Sequence, residues 1–442
     1  MWGSAWGDYD ADGDLDLFVG RHVKVPGLFE NRSGTFARVE GEEDLSRIFD
    51  RHGCAWGEAN GDGRPDLYCA AGARRGTGAI PKRLYIQTDE GFVDQARRFG
   101  VRLPGARGRT VNWIDLDSNS ELDLFIGNKR KTGYPSVTFM KGRVGFERVR
   151  LKGNRFPSTI GSSWADWDAD GDPDLMVFQY GRERPVTYEN RSGRLAPVRV
   201  PIVNRHRWRS GAWGDYNGDG WPDLHLVRER QSLILKNQGG SFKPAHRTPL
   251  RQGRMSAWFD VDNDGDLDSF VVEGASGGEN LGDFLIVQGE NGFDVVRGSS
   301  FRGPDFGDGD SVSSGDFDLD GRVDLYVTHG FSKNRGLGVL LKNTSDAGNW
   351  AILNLKGSDE NPFGFGTTIR VVTGDRTYHR QITDGFNFRS QSATGQVHLG
   401  LDDAEQADVR ISWVDGTRDC VTVSPSEVLS IGKGAHHCRA ED

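Results

Sequence analysis

The sequence predicts an all-β fold, a seven-bladed β-propeller over residues 1–345 followed by a small β-sandwich-like domain over 346–442. Three observations carry this reading. A nine-residue acidic frame, DYDADGDLD from Asp8 to Asp16, recurs six times, at Glu58, Asp115, Asp166, Asp215, Asp260 and Asp316. A tryptophan stands two residues ahead of six frames, at Trp6, Trp56, Trp113, Trp164, Trp213 and Trp258, and Ser314 takes that place before the seventh. Each frame then opens into an apolar run such as DLFVG, DLYCA or DLFIG.

Repetition of this kind marks a repeat architecture before any local reading does. The frames lie 50, 57, 51, 49, 45 and 56 residues apart, which leaves room for four short strands per repeat. The first strand ends at the Trp and the second is the apolar run. The third reads GLFEN, RLYIQ, SVTFM, VTYEN, LILKN, FLIVQ and GVLLKN, and the fourth starts near Phe36, Phe92, Phe146, Leu195, Phe242 and Phe293. Alternating or wholly apolar segments bounded by Gly-containing turns are strands. Small sheets repeated in this way close radially and leave few free edges.

The frames have the chemistry of a metal loop. Oxygens at positions 1, 3, 5 and 9, a backbone carbonyl at 7 and a turn at 6 enclose one hard cation of calcium size. The first frame offers Asp8, Asp10, Asp12, Asp14 and Asp16, and the second Glu58, Asn60, Asp62, Arg64 and Asp66. The third offers Asp115, Asp117, Asn119, Glu121 and Asp123, and the fourth Asp166, Asp168, Asp170, Asp172 and Asp174. The fifth offers Asp215, Asn217, Asp219, Trp221 and Asp223, the sixth Asp260, Asp262, Asp264, Asp266 and Asp268, and the seventh Asp316, Asp318, Asp320, Arg322 and Asp324. Arg64, Trp221 and Arg322 stand at position 7, where only the carbonyl is needed. Like charges kept in one frame require a counter-ion, so about five to seven calcium sites are expected. The second and third frames are the weakest, because Glu58 is longer than Asp and Ser120 replaces the turn glycine. An EF-hand would need Glu at position 12, where this chain has Val19, Cys69, Ile126, Val177, Leu226, Val271 and Val327.

These repeats resemble the FG-GAP or VCBS repeats of integrin alpha-chain propellers and of the cartilage acidic protein group, with Gly7, Asp8, Asp10, Asp12, Gly13, Asp16 and Leu17 matching the repeat core. The resemblance implies that the acidic loop joins the first two strands of each blade and binds calcium. Beyond Asp346, GFGTTIRVV, RSQS at Arg389 to Ser392, VHLGL and VRISWVDG resemble the ASPIC/UnbV module, with strands expected at Trp350–Leu355, Thr368–Val372, Thr377–Ile382, Gln396–Leu399, Val409–Trp413 and Val421–Val423. Related chains carry a strand upstream of the first blade, so ring closure is expected to fall to the seventh blade, completed through Trp350 to Leu355.

The seven frames hold 29 acidic residues against Arg64 and Arg322, a net −27, whereas the whole chain is −9. Everything outside the frames therefore sums to +18. That charge gathers in the connections from second to third strand and from fourth strand to the next blade, which in an up-and-down blade emerge on the face opposite the acidic loops. The expected ligand-binding arginines on this face are Arg51, Arg75, Arg109, Arg130, Arg182, Arg205, Arg207, Arg209, Arg228 and Arg254. Guanidinium forks pair bidentately with carboxylate, sulfate or phosphate. Regular aromatic platforms for nucleic acid are lacking there.

Two function classes fit. One is a calcium-stabilised binding or scaffolding protein, expected as a monomer, that recognises an anionic glycan, small molecule or protein through the Arg-rich face. The other is a non-hydrolytic enzyme with its site over the propeller channel, using His52, His206 and His329 with Tyr134, Glu229 and Asp305; for this class the UnbV resemblance implies cyclase or isomerase chemistry in natural-product biosynthesis. Cys54 with Cys69, and Cys420 with Cys438, could form disulfides, which belong to oxidising compartments. An extracellular, periplasmic or cell-surface setting is favoured, although no secretory start precedes Trp2. The sequons at Asn31, Asn190 and Asn343 share one turn position, and turn chemistry accounts for them.

Overall fold

The computed structural model describes residues 3–21, 25–41, 45, 50–73, 78–129, 134–149, 158–181, 183–276, 279–280, 282–289, 291–298, 301, 309–330, 338–374, 376–387 and 389–438. Antiparallel sheets follow one another along the chain, each built in sequence order from the inside outward. The first contains Gly3–Gly7, Asp16–Gly20, Gly27–Arg32 and Thr35–Arg38, and the fifth Ser210–Gly214, Asp223–Arg228, Gln231–Gln238 and Ser241–Pro249. The innermost strands pack in cyclic order, and Ser311–Gly315 of the seventh sheet meets Gly3–Gly7 of the first, which closes the ring. The chain is an all-β propeller.

Register repeats from blade to blade. Trp6 faces Leu17, Trp56 faces Leu67, Trp113 faces Leu124, Trp164 faces Leu175 and Trp213 faces Leu224. The Trp-Gly pair has a packing reason, because a Cβ on Gly7 would sit 2.7 Å from the indole of Trp56 and one on Gly57 would sit 2.3 Å from that of Trp113. Each indole can thus lie against the preceding blade, where Trp113 Nε1 donates to Ala55 O at 3.1 Å and Trp258 Nε1 to Ala212 O at 3.0 Å.

The seventh sheet contains Ser311–Gly315, Asp324–Thr328 and Gly338–Leu341 among the described residues. The expectation that Trp350 to Leu355 complete it is wrong. That segment lies in Asn349–Lys356, which is bonded on one side to Gln396–Asp402 and on the other to Glu427–Gly432, so both its edges are taken. A second sheet orders Arg376–Gln381, Thr368–Thr373, Ala407–Ser412 and Arg418–Val423, and Ile369, Val371, Leu353, Leu399, Ile411 and Val423 form the core between the two. Cys54 is bonded to Cys69 across adjacent strands, and Cys420 to Cys438.

Residues 384–387 and 389–392 leave this C-terminal module and enter the centre of the ring. Asp384 accepts from Asn112 Nδ2 at 3.1 Å and Trp113 N at 3.0 Å. Gln391 accepts from Trp56 N at 2.7 Å, returns a bond to Trp56 O at 3.0 Å, and pairs in parallel register with Ala5. Ser390 Oγ lies 2.8 Å from Ser311 Oγ. Arg389, 1% exposed, grips both carboxylate oxygens of Asp310, 0% exposed, at 2.6 and 2.7 Å. The plug is therefore polar, and backbone and side-chain groups of several blades satisfy it.

Removing one partner of a buried ion pair strands the other charge. We expect Asp310→Ala to lower the unfolding free energy by about 3–5 kcal/mol in urea titrations, and Asp310→Leu combined with Arg389→Met to recover a large part of that loss.

Candidate metal centres and the arginine-rich face

All seven frames fold alike. The position-1 carboxylate accepts the backbone N–H of position 6 at 2.8 to 3.1 Å in every copy, from Gly13, Gly63, Ser120, Gly171, Gly220, Gly265 and Gly321. The buried position-9 carboxylates, Asp16, Asp66, Asp123, Asp174, Asp223, Asp268 and Asp324, each accept a third-strand N–H at 2.7 to 3.0 Å. Position 5 turns an oxygen onto the N–H of position 7 in all copies, as Asp12 does with Asp14 N at 3.0 Å and Asp320 with Arg322 N at 3.0 Å. Arg64 at position 7 reaches out to Asp89 at 2.8 Å.

The departures in frames two and three are absorbed. Glu58 accepts from Asn60 N, Gly61 N and Gly63 N, at 2.6, 2.6 and 3.1 Å, and Ser120 adopts the turn at φ 68°. Position 4 is also left-handed throughout, at Ala11, Gly61, Ser118, Ala169, Gly218, Asn263 and Leu319. No regular residue type marks that position in the sequence, so it was not legible there.

Backbone donors hold the outer carboxylate oxygens and leave inner ones facing each other. Three carboxylates come within 4.8 Å of one another in the sets Asp8, Asp10, Asp16; Asp166, Asp168, Asp174; Asp260, Asp262, Asp268; and Asp316, Asp318, Asp320. Position-3 oxygens of Asp117, Asp168, Asp262 and Asp318 are buried without a described donor. Acceptors gathered and left unpaired in this way fit a hard divalent cation. In the metal-free chain burial, followed by neighbouring charge, pushes these groups up: Asp8, Asp115 and Asp166 to about 6, Glu58, Asp260 and Asp316 to about 7, Asp16, Asp123, Asp223 and Asp268 to about 8, and Asp174 to about 9. Two frames also receive an ammonium. Lys236 Nζ lies 3.0 Å from Asp219 and 3.0 Å from Asn217, and Lys342 bonds Asp318 and Asp320.

The C-terminal module docks on this acidic face. Arg380 Nη2 donates to Gly265 O at 2.9 Å, His398 Nε2 to Gly321 O at 2.9 Å, Gly348 N to Asp262 O at 2.8 Å, and Arg376 pairs with Asp266 at 2.8 Å. The turn carbonyls of frames six and seven are thus ligated by the module.

The arginines divide. Arg51 is 1% exposed, with Nη2 on Leu45 O at 2.6 Å and Tyr85 Oη at 2.5 Å, and its plane over the Tyr85 ring. Arg109 is buried, donating to Gly108 O at 2.8 Å and to His52 Nδ1, and Arg254 is buried as well. Arg209 is half-buried, with Nη1 on Gly253 O at 3.3 Å. Arg205 and Arg207 are exposed, and Arg228 is half-buried over the Trp208 ring. His206 lies among them, 3.3 Å from Arg228, and is held below its usual range by partial burial and by Arg228, Arg205, Arg247 and Arg184. Arg75, Arg130, Arg182 and Asp305 lie outside the described residues.

Of the other enzyme candidates, Tyr134 is 41% exposed and Glu229 is exposed in another blade. His329 is buried, 3.6 Å from Asp283. His52 Nε2 donates to Asp50 at 2.7 Å, and burial with the Arg109 charge lowers it to about 3, so it is a neutral internal group. Asp50 and Arg389 beside it were missed in the sequence, where Asp50 belongs to no repeated pattern and Arg389 stands in the C-terminal module, far along the chain from His52.

A family model for the FG-GAP-like repeat matches residues 8–69, 166–226 and 215–271, and one for ASPIC and UnbV matches 357–436. The chain carries FG-GAP-like repeats and an ASPIC and UnbV module. It is similar to cartilage acidic protein 1 of Mus musculus, 23% identical over 97% of this chain and 73% of that protein, and to that of Homo sapiens, 24% identical over 96% and 61%. Among solved structures it is similar to an Agrocybe aegerita lectin that recognises non-reducing terminal N-acetylglucosamine, at 14% identity and a TM-score of 0.49 over 74% of this chain and 90% of that one. No helix among the described residues of this chain is long and apolar enough to cross a membrane.

Ser120 occupies a conformation that disfavours a side chain, so Ser120→Gly should raise the unfolding free energy by roughly 1 kcal/mol by chemical denaturation. In EDTA the raised carboxylates stabilise the fold below their unfolded values and cease to do so as pH climbs through about 6 to 9. His52, His225 and His398, lowered to about 3, 3 and 4, oppose this only below their ordinary 6.5. Melting temperature in EDTA should therefore rise as pH is lowered from about 9 to about 6.5, and saturating divalent cation should abolish that slope.

Proposed function

We propose that this chain is a calcium-stabilised, extracellular binding protein that holds an anionic glycan on the arginine patch of its fourth and fifth blades. The observation that carries the reading is the gathering of arginines around His206, with Arg228 at 3.3 Å and Arg184, Arg205 and Arg247 close enough to act on its charge. Arg184, Arg205, Arg207 and Arg247 are exposed there, so their forks are open to sulfate or carboxylate groups. Buried Arg51, Arg109 and Arg254 have a supporting part. Calcium in the frames offsets about half the charge of the opposite face and ties each loop to its blade. Two disulfides suit an oxidising environment.

Elemental analysis of protein purified without chelator should find about five to seven calcium ions per chain. Chelation should remove roughly 2.7 kcal/mol per site at calcium a hundredfold above Kd. Fewer than two ions, with no change in melting on EDTA, would refute the calcium reading. For the ligand face, replacing Arg184, Arg205, Arg207 and Arg247 by Ser should shift elution from a heparin column to lower salt. Unchanged elution would remove the patch from the account.

A further inference from the structure

The module and the acidic face of the ring do not close on each other completely. Between them lies a cavity of about 440 Å³, within the range that holds a small organic molecule. Its floor is formed by Asp166, Asp215, Asp260 and Asp316, the first residues of four successive frames, and its wall includes the indoles of Trp213 and Trp258. The equivalent Trp6, Trp56 and Trp113 are buried to 1% exposure or less, whereas Trp213 and Trp258 are half-buried. Nε1 of Trp213 has no described partner.

The charge of this space is one-sided. Frames four to seven carry seventeen aspartates against Arg322, a net −16; Lys236, Lys342 and Arg376 each pair with one of these frames, and with four divalent cations added the balance is still negative. Arg380 also lines the cavity, but its guanidinium is turned away, with Nη1 on His379 O at 3.1 Å, Nη2 on Gly265 O at 2.9 Å, and its plane over the Tyr378 ring. His379 lies 3.5 Å from Asp215 and adds at most one charge. An anion is repelled by such a floor, whereas a cation gains from the carboxylates and an apolar body gains from the indole wall.

We propose that this cavity is a second binding site, for an organic cation: an ammonium-bearing molecule with an apolar body, its charge toward the aspartates and its body against the indoles. The site is opposite in sign to the arginine patch and is independent of it. It exists only where the ring and the module meet, so one molecule bound there touches both.

The test uses the full chain saturated with calcium and titrated calorimetrically with benzyltrimethylammonium, with benzyl alcohol as the neutral probe and benzylsulfonate as the anionic one. The ammonium should bind at least about tenfold more tightly than the alcohol, and the sulfonate should not compete. Thr368→Trp fills the cavity from an exposed strand position that supplies no frame ligand, and it should abolish binding with the melting temperature retained. Trp213→Leu should weaken binding about tenfold. If Thr368→Trp lowers the melting temperature, Trp213→Leu decides. Absence of ammonium binding at about 10 mM, equal binding of the alcohol, or an unchanged Kd in both variants overturns the proposal.

Discussion

The bond on which the rest of the molecule depends is the one between a buried position-9 carboxylate and a third-strand N–H. It recurs in all seven repeats at 2.7 to 3.0 Å. It joins the end of the acidic loop to the middle of its own sheet. The residue that gives the N–H is Asn or Gln in six copies, and in five of them its amide reaches the neighbouring blade: Asn31 Nδ2 to Phe317 O at 2.6 Å, Gln87 Nε2 to Tyr9 O at 2.8 Å, Asn190 to Leu116 O at 2.8 Å, Asn237 to Trp167 O at 2.7 Å and Asn343 to Val261 O at 2.9 Å. One residue thereby couples loop order, sheet registry and the contact between blades. The same bonds explain the three sequons in physical terms, since the amides of Asn31, Asn190 and Asn343 are each occupied by a carbonyl of the neighbouring blade.

A carboxylate in that position is costly by itself. Burial raises its proton affinity, and the other acidic groups of the frame add repulsion. The backbone donors offset part of that penalty but approach from outside, which leaves the inner oxygens to a cation. Loop and strand pairing are therefore one cooperative unit, and a cation bound only by the folded loop would stabilise the whole ring through linkage.

The C-terminal module extends this unit. Its Arg380 and His398 cap the turn carbonyls of two frames, and its residues 384–387 and 389–392 enter the ring and place Arg389 on Asp310. Polar closure of this kind is stable only when every group is satisfied. The module consequently covers part of the acidic face. Opposite charge on the two faces follows from strand order alone, because loops between first and second strands emerge at one end of a blade and the basic connections at the other.

Local repetition was enough to read the propeller, the seven frames and the carboxylate clusters, because each repeat carries its acidic residues within nine positions and its strands beside them. Ser120 and Glu58 looked like weaknesses, yet their loops take the same path, since backbone N–H groups rather than the particular side chain set the turn. What the sequence could not decide were contacts between distant segments. Arg51 and Arg109 read as surface ligands because their connections are basic, and only the fold turned them inward onto Tyr85 and His52. Trp350 read as a strand for the seventh blade until the sandwich claimed both its edges. Arg389 and Asp310 lie 79 residues apart in chain and within 2.6 Å in space. Composition and spacing determine short-range geometry; the pairing of groups across the ring is set by which surfaces the module and the plug desolvate, and that is a property of the tertiary structure.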